Sequence, residues 1–154
     1  MSEEIDLVLW RHAEAEDGVP DGERALTKKG RRQAASVAAW LRSTLPKRAR
    51  ILASPAVRAQ QTAAALELPF ATVREIGVGA AAADVLAAAG WPDGGGTAVV
   101  VGHQPTLGRA AALVLAGHEA DWSVRKGAVW WLSRRVRDGN AQVLLRAVIG
   151  PELL

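Results

Sequence analysis

The 154-residue sequence contains no cysteine. This absence excludes disulfides, cysteine-ligated zinc, iron–sulfur clusters and thiol nucleophiles. The chain also lacks any apolar run that approaches the ~20 residues needed for a membrane-spanning helix. Its first residues, MSEEID, are acidic, whereas a secretory signal begins with basic and then apolar residues. We therefore expect a cytoplasmic protein with no membrane partner.

The composition that remains is that of an ordinary globular protein. Hydrophobic residues make up 49% of the chain and charged residues 23%, a balance that differs from that of disordered proteins. A chain of this length suits one compact domain and buries about 68–70% of the surface that it exposes when unfolded. We therefore expect a single domain that spans residues 1–154.

The charge of the chain is unevenly distributed. Residues 1–26 hold eight acidic and two basic residues, whereas residues 27–154 hold eight acidic and seventeen basic ones. A basic body favours anionic partners in general, and the clusters KKGRR at 28–32 and RRVRDGN at 134–140 raise the possibility of nucleic acid. Neither cluster is interleaved with aromatic residues, and no nucleic-acid-binding module is recognisable. Solvated helix and strand faces explain both clusters, so we expect no nucleic-acid partner.

Short apolar runs alternate with helix-like segments along most of the chain. The predicted strands span residues 5–10, 50–53, 70–73 and 97–101, and two more span 128–136 and 142–149 around a DGN turn. The first predicted helix follows the N-cap Thr27 to residue 44, and the second has Ser54 as its N-cap, Pro55 at its first position and runs to 66. Two more predicted helices span 80–89 and 105–116. This order predicts a three-layer α/β/α sandwich whose central sheet is mostly parallel and ends in a C-terminal antiparallel hairpin.

Ionisable residues follow three of the predicted strands, where each strand ends. Arg11 and His12 follow the first strand, Arg58 comes shortly after the second, and His103 follows the strand at 97–101. Ligands of open α/β sheets bind in the crevice outside the carboxyl ends of the strands. If the three strands are neighbours, two histidines and two arginines converge on one spot.

Such a spot is suited to phosphoryl chemistry. Guanidinium groups are planar donor forks that match phosphoryl oxygens, and Arg58 falls in the first turn of a predicted helix, which itself favours an anion. A neutral imidazole is a competent nucleophile near pH 7. Two histidines with few nearby carboxylates leave a metal site possible but short of ligands, so we expect neither a metal nor a cofactor. A lone histidine is more simply a structural residue, but its combination with the arginines favours a functional site.

Four segments, taken together, resemble the histidine phosphatase (phosphoglycerate-mutase-like) superfamily. They match its strand into Arg-His-Gly or Arg-His-Ala, its Arg-x-Leu-Thr-x-x-Gly-x-x-Gln-Ala segment, its Ser-Ser/Pro-x-x-Arg-Ala-x-x-Thr-Ala segment and its Gly-His-x-Pro. In this chain they read LVLWRHAEAE, ERALTKKGRRQA, ILASPAVRAQQTA and VVVGHQPTL, in the same order over about residues 5–116. The sequence Arg-His-Ala-Glu-Ala at 11–15 is most similar to the SixA-type phosphohistidine phosphatase branch.

The resemblance implies a role for each matching residue. His12 would be the nucleophile that forms a phosphohistidine intermediate, Arg11 and Arg58 would bind the phosphoryl oxygens, and His103 would complete the pocket. Arg24 matches an arginine that lines the pocket in this branch, which implies substrate binding.

Glu75 is a further candidate for the substrate site. Many relatives place a glutamate between the second arginine and the second histidine to protonate the leaving group. Glu75, in VREIGVG, lies nearest to that position but lacks the usual acidic-glycine pair. A surface or structural carboxylate is the alternative interpretation of Glu75.

The function that these observations favour is a metal-independent phosphatase that hydrolyses phosphohistidine on a protein. A phosphatase of a small phosphorylated metabolite is the alternative among enzymes, and a non-catalytic phosphate-recognising module is the alternative from another class. A mutase is less favoured, because it must keep water out and the short connections leave little chain to build a cover.

Overall fold

The computed structural model describes residues 4–154, which form a six-stranded sheet covered by helices on both faces. The expectation that no secretory signal is present rests in part on residues 1–3, which lie outside the described residues. The strands are Glu4–Arg11 (β1), Arg50–Ala53 (β2), Ala71–Thr72 (β3), Gly96–Gly102 (β4), Val129–Arg137 (β5) and Asn140–Ile149 (β6). The α-helices are Lys28–Thr44 (α1), Val57–Ala64 (α2), Ala82–Ala89 (α3) and Thr106–Ala116 (α4).

The order of the strands brings the predicted site residues to one edge of the sheet. It is β3-β2-β4-β1-β5-β6, with β3, β2, β4 and β1 parallel and β5 and β6 antiparallel to their neighbours. The mostly parallel sheet with a C-terminal hairpin is therefore confirmed. Because β4 lies between β2 and β1, Gly102 pairs with Arg11 and Val101 with Ala53. The carboxyl ends of these three strands meet.

Buried side chains of the central strands pack on both faces of the sheet, because successive side chains of a strand point to opposite sides. Leu7 and Leu9 of β1 pack with α3 and α4 in one buried cluster. Val8 and Trp10 pack with α1 and α2 in the other. Helix, sheet and helix thus form the three layers that the sequence predicts. Within residues 4–154, none of the helices is both long and apolar enough to cross a membrane.

Two helix starts show where local sequence and structure agree and differ. The hydroxyl of Thr27 accepts a hydrogen bond from the Gly30 N–H at 2.9 Å, which confirms the predicted N-cap of α1. The prediction that Ser54 caps α2 is wrong, because the helix begins at Val57 and Ala56 is its N-cap. Ser54 directly follows β2, and its N–H donates to the Val101 carbonyl at 3.0 Å. Its hydroxyl accepts a hydrogen bond from the Ala56 N–H at 3.2 Å and lies 2.7 Å from His103 Nε2.

Candidate active site

Four of the predicted site residues lie together at the carboxyl edge of the sheet. The His12 N–H donates to the Gly102 carbonyl of β4 at 3.0 Å. The imidazole rings of His12 and His103 lie 5.2 Å apart between centroids, with 53° between their planes. Arg58 Nε lies 3.4 Å from His12 Nε2. Both histidines and Arg58 are buried and Arg11 is half-buried, so the strand adjacency that the sequence requires is present.

The backbone around His12 is fixed by groups from three separate elements. The Ala13 N–H donates to the Thr62 hydroxyl at 3.1 Å, and that hydroxyl donates to the Arg58 carbonyl at 2.7 Å. On the other side, the Gly127 N–H lies 3.1 Å from the His12 carbonyl oxygen. The position of the His12 ring relative to α2 is therefore determined by a connected hydrogen-bond network, which limits its freedom before any ligand binds.

The hydrogen bonds of His12 define its tautomer. Its Nδ1 lies 2.8 Å from the Ala13 carbonyl oxygen, and because a carbonyl oxygen can only accept, Nδ1 carries the proton of the neutral ring. Burial first, and then the charges of Arg58, Arg11 and Arg24, lower the pKa of His12 to about 4. At neutral pH the ring is therefore uncharged, and its Nε2 carries the electron pair that a nucleophile requires. In the structure this electron pair accepts a hydrogen bond from Arg58 Nε–H at 3.4 Å.

His103 is held by the serine that the sequence had assigned to a helix cap. Its Nε2 lies 2.7 Å from Ser54 Oγ, and within residues 4–154 its buried Nδ1 has no hydrogen-bond partner. Burial first, and then the neighbouring His12 and Arg58, lower the pKa of His103 to about 3. Without a ligand His103 is therefore neutral at pH 7. A bound anion would oppose the lowering of the pKa of His103.

Arg58 is engaged by an acidic residue that sequence reasoning did not single out. Its Nη1 donates to the Asp21 carbonyl at 2.8 Å and its Nη2 to Asp21 Oδ2 at 3.0 Å. Arg24 Nη1 donates to the other carboxylate oxygen, Oδ1, at 3.0 Å. Hydrogen bonds from Arg24 and Arg58 lower the pKa of Asp21. An ionised carboxylate of the chain therefore bridges two of the predicted phosphate-binding arginines.

Arg24 reaches the site through this bridge. Its Nε donates to the Glu16 carbonyl at 2.7 Å, which orients the guanidinium towards Asp21, and its charge contributes to the lowered pKa of His12. Arg24 therefore lies at the rim of the site with part of its side chain exposed. The only sequence signal for Asp21 was the concentration of acidic residues in the loop at 13–26.

Arg11 has unused donors within the site. Its Nη1 donates to the Val124 carbonyl at 3.0 Å, but its buried Nε has no hydrogen-bond partner in the described part of the chain. Burial lowers the pKa of Arg11, and its charge acts on both His12 and His103. A buried cationic group with an orphaned N–H is well suited to receive an anion, because an unpaired buried donor is unfavourable.

Glu75 is not brought into contact with these residues. It lies exposed in the short turn Arg74–Ile76 and makes no hydrogen bond or ion pair with any described residue. The turn itself adjoins the site, since the Ile76 carbonyl oxygen lies 3.9 Å from the position that a Cβ on Gly102 would occupy. The segment is therefore near the edge of the site while the carboxylate faces solvent.

Metal ligands are sparse in this region. Among residues 4–154 there is no group of three or more histidine, cysteine, aspartate or glutamate side chains that could hold a metal ion. The groups that converge on the site are instead two neutral imidazoles and cationic guanidiniums. Such a set stabilises a polyanionic ligand directly through hydrogen bonds and charge.

Comparison with known proteins agrees with this geometry. The model of the histidine phosphatase superfamily (branch 1) matches residues 7–81. An uncharacterized protein of Mycobacterium tuberculosis is 40% identical over 111 residues, with 69% of each chain covered.

Two solved structures are similar over nearly their whole length. One, assigned as a phosphohistidine phosphatase SixA from Nakamurella multipartitia, is 28% identical, with 97% of this chain and 98% of that chain covered and a TM-score of 0.76. The other, the protein histidine phosphatase SixA complexed with tungstate, is 25% identical, with 96% and 98% covered and a TM-score of 0.78. The family match, the shared fold and the site agree: the chain belongs to the histidine phosphatase superfamily and is a phosphatase.

Proposed function

We propose that the protein hydrolyses phosphohistidine on a phosphorylated protein and that His12 carries the phosphoryl group between the two steps. The observation that carries this proposal is the state of His12, which is neutral, protonated on Nδ1 and placed with Nε2 3.4 Å from Arg58 Nε. Nucleophile and oxyanion-binding group are thus adjacent before the substrate arrives. Phosphoryl transfer requires mainly such positioning and the neutralisation of charge on the phosphoryl oxygens.

In the first step, the phosphoryl oxygens accept hydrogen bonds from Arg58 and Arg11. The Asp21 carboxylate is displaced from Arg58. The electron pair on His12 Nε2 forms a bond to phosphorus while the bond from phosphorus to the substrate imidazole breaks. The electron pair of that bond returns to the substrate nitrogen. When the other ring nitrogen of the substrate carries a proton, the imidazole leaves as a neutral molecule and needs no general acid.

The second step transfers the phosphoryl group from His12 to water. Water attacks the phosphorus of phosphorylated His12, the Nε2–P bond breaks, and its electron pair returns to Nε2. One proton of the water is released with the inorganic phosphate or to solvent. Because Nδ1 keeps its proton through the hydrogen bond to the Ala13 carbonyl, His12 also leaves as a neutral imidazole. Both steps then need no general acid, and the ionised Asp21 carboxylate, whose pKa is lowered by Arg24 and Arg58, is not called on to donate a proton.

This independence of an acid supports phosphohistidine over alkyl phosphates as the substrate. An alkoxide is a poor leaving group that must be protonated, whereas Glu75, the glutamate matched to the family's acid, is exposed and contacts none of the site residues. The similarity to the protein histidine phosphatase SixA, at 25% identity, supports the same substrate class. The bound tungstate of that protein is a tetrahedral oxyanion of the shape that the guanidiniums here would accept.

A phosphatase of small metabolites is the second candidate, favoured by the room beside Arg11. An open cavity of about 940 Å³ adjoins this residue, which is large enough for a small phosphorylated molecule. The mycobacterial glucosyl-3-phosphoglycerate phosphatase, at 19% identity and a TM-score of 0.69, shares the fold.

A substrate panel tests the choice. We expect kcat/KM for a phosphohistidine-carrying protein to exceed that for 3-phosphoglycerate and sugar phosphates by at least about 10²-fold, which corresponds to about 2.7 kcal/mol or more of differential transition-state stabilisation. A wide preference for any of the small molecules would contradict the proposed substrate class and leave the role of His12 intact. The His12→Ala protein serves as the blank for spontaneous hydrolysis of the labile phosphoramidate.

A further inference from the structure

A cavity of about 940 Å³ lies beside Arg11, on the side of that residue that faces the segment 123–126. Its walls come from the first turns of α1, from that segment and from the C-terminal turn Pro151–Leu153. We call it the basic cavity after its cationic lining, which consists of Arg11, Lys29, Arg32, Arg125 and Lys126.

Most of the positive charge of the basic cavity is not neutralised. Its two acidic lining residues are already engaged: the Glu14 carboxylate accepts from the Thr27 hydroxyl at 2.8 Å, and Glu152 lies 3.8 Å from Arg125. In contrast, Lys29, Arg32 and Lys126 are exposed, and none makes a hydrogen bond or ion pair with the described residues. Concave surfaces lined by one sign of charge concentrate ligands of the opposite sign.

The basic cavity adjoins the candidate active site at Arg11, while His12, Arg58 and His103 do not line it. Arg11 lines the cavity and also acts electrostatically on His12 and His103. Gln104, the residue after His103, forms part of the wall and is fixed there, because its amide donates to the Trp122 carbonyl at 2.9 Å and accepts from the Gly108 N–H at 2.7 Å. A molecule that places a phosphoryl group at Arg11 is therefore bound next to this cavity.

The residue types that line the basic cavity indicate which class of ligand it binds. Pockets for small molecules are lined mainly by apolar and aromatic side chains, whereas Val124 and Pro151 are the apolar members of this lining and the rest are polar or charged. Its five cationic side chains, of which Lys29, Arg32 and Lys126 are unpaired among the described residues, favour a ligand with several carboxylates along an extended chain.

We propose that the basic cavity receives acidic side chains that flank the phosphohistidine of a protein substrate. This inference rests on the proposed function and adds a recognition element to it. The cations of α1 and of segment 123–126 raise the association rate and orient the substrate, while the transfer itself depends on His12 and the arginines of the site.

Two synthetic phosphohistidine peptides of equal length test the proposal, one with aspartate and glutamate around the phosphohistidine and one with serine and glycine there. In wild-type protein at low salt, we expect kcat/KM to be about tenfold higher for the acidic peptide and the difference to shrink as salt rises. The Lys29→Gln/Lys126→Gln double variant should lose most of this preference through KM. Its hydrolysis of p-nitrophenyl phosphate should equal that of wild type, which also shows that the variant is folded.

Lys47 provides the matched control, since it is an exposed lysine beyond the opposite end of α1. Lys47→Gln should keep the full preference for the acidic peptide. Equal kcat/KM for the two peptides in wild type would overturn the docking proposal, as would a double variant that loses activity on 3-phosphoglycerate but not on the acidic peptide. If neither peptide is hydrolysed while p-nitrophenyl phosphate is, the proposed function fails and the docking proposal fails with it.

Discussion

The Asp21 carboxylate lies 3.0 Å from Arg58 Nη2, in an ion pair between an exposed acid and a nearly buried base. The same carboxylate lies 3.0 Å from Arg24 Nη1, so one negative charge of the chain engages two guanidiniums of the site. A phosphoryl group that binds Arg58 through Nη1 and Nη2 uses the two nitrogens that now contact Asp21. In that binding mode Asp21 and the ligand compete for the same donors.

This competition predicts the effect of removing the charge of Asp21. In Asp21→Asn, we expect tungstate or vanadate to inhibit p-nitrophenyl phosphate hydrolysis at about two- to fivefold lower concentration, because an exposed ion pair of this kind contributes at most about 1 kcal/mol. Glu23→Gln is the control, since Glu23 lies in the same turn and contacts neither arginine. Weaker oxyanion binding in Asp21→Asn would mean that Asp21 supports the arginines rather than competing with the ligand.

Removal of the His12 imidazole should abolish covalent catalysis. In His12→Ala, we expect the hydrolysis of p-nitrophenyl phosphate to fall by about 10⁴-fold or more, as for other catalytic nucleophiles, and the acid-labile phosphoenzyme to disappear from rapid-quench experiments. His118→Ala is the matched control, because His118 is exposed and has no hydrogen bond or ion pair with the described residues. Normal turnover by His12→Ala would assign the nucleophile elsewhere.

The two site histidines should titrate far below an ordinary histidine. Burial, reinforced by nearby arginines, lowers the pKa of His12 to about 4 and that of His103 to about 3. The chain has three histidines, so NMR can follow each ring during an acid titration, with exposed His118 as the reference.

The charge of each group determines how pH and a bound oxyanion affect the two site histidines. Protonation of His12 as pH falls through about 4 removes its nucleophilic electron pair, so single-turnover phosphorylation should decline there. A bound tungstate ion favours the charged form of its neighbours, and we expect it to raise the pKa of His103. Titration of unliganded His12 near 6.5 would contradict its burial in a cationic site.

Replacement of Glu75 tests whether this residue is a general acid, as in many relatives, or an exposed carboxylate without a catalytic role. We expect Glu75→Gln to hydrolyse both p-nitrophenyl phosphate and a phosphohistidine peptide within about twofold of wild type, as is usual for exposed substitutions without contacts. The informative substrate is β-glycerophosphate, whose alkoxide requires a proton. A selective loss of about 10²-fold on that substrate would instead identify Glu75 as a general acid.

Most of the site was readable in the sequence because each part depends on local order. Arg11 and His12 come at the end of a short apolar strand, and the Thr27 cap, three residues before Gly30, places the start of α1 at Lys28. The same glycine shows the limit of such reasoning. A Cβ at Gly30 would overlap the Glu14 carbonyl oxygen, a contact between the loop after β1 and α1 that no local pattern reveals.

Residue types and their spacing along the chain were sufficient for the strands, the parallel architecture and the set of histidines and arginines, since these follow from periodicity and from short motifs. The position of β4 between β2 and β1 depends on long-range packing. Because of this strand order, Ser54, which the sequence predicts as a helix cap, contacts His103. The contact of Asp21 with Arg58, and the meeting of α1 with the segment at 123–126 around one cavity, likewise join residues far apart in the chain. Their energies depend on distances that arise only when the layers pack, so local propensity carries no information about them.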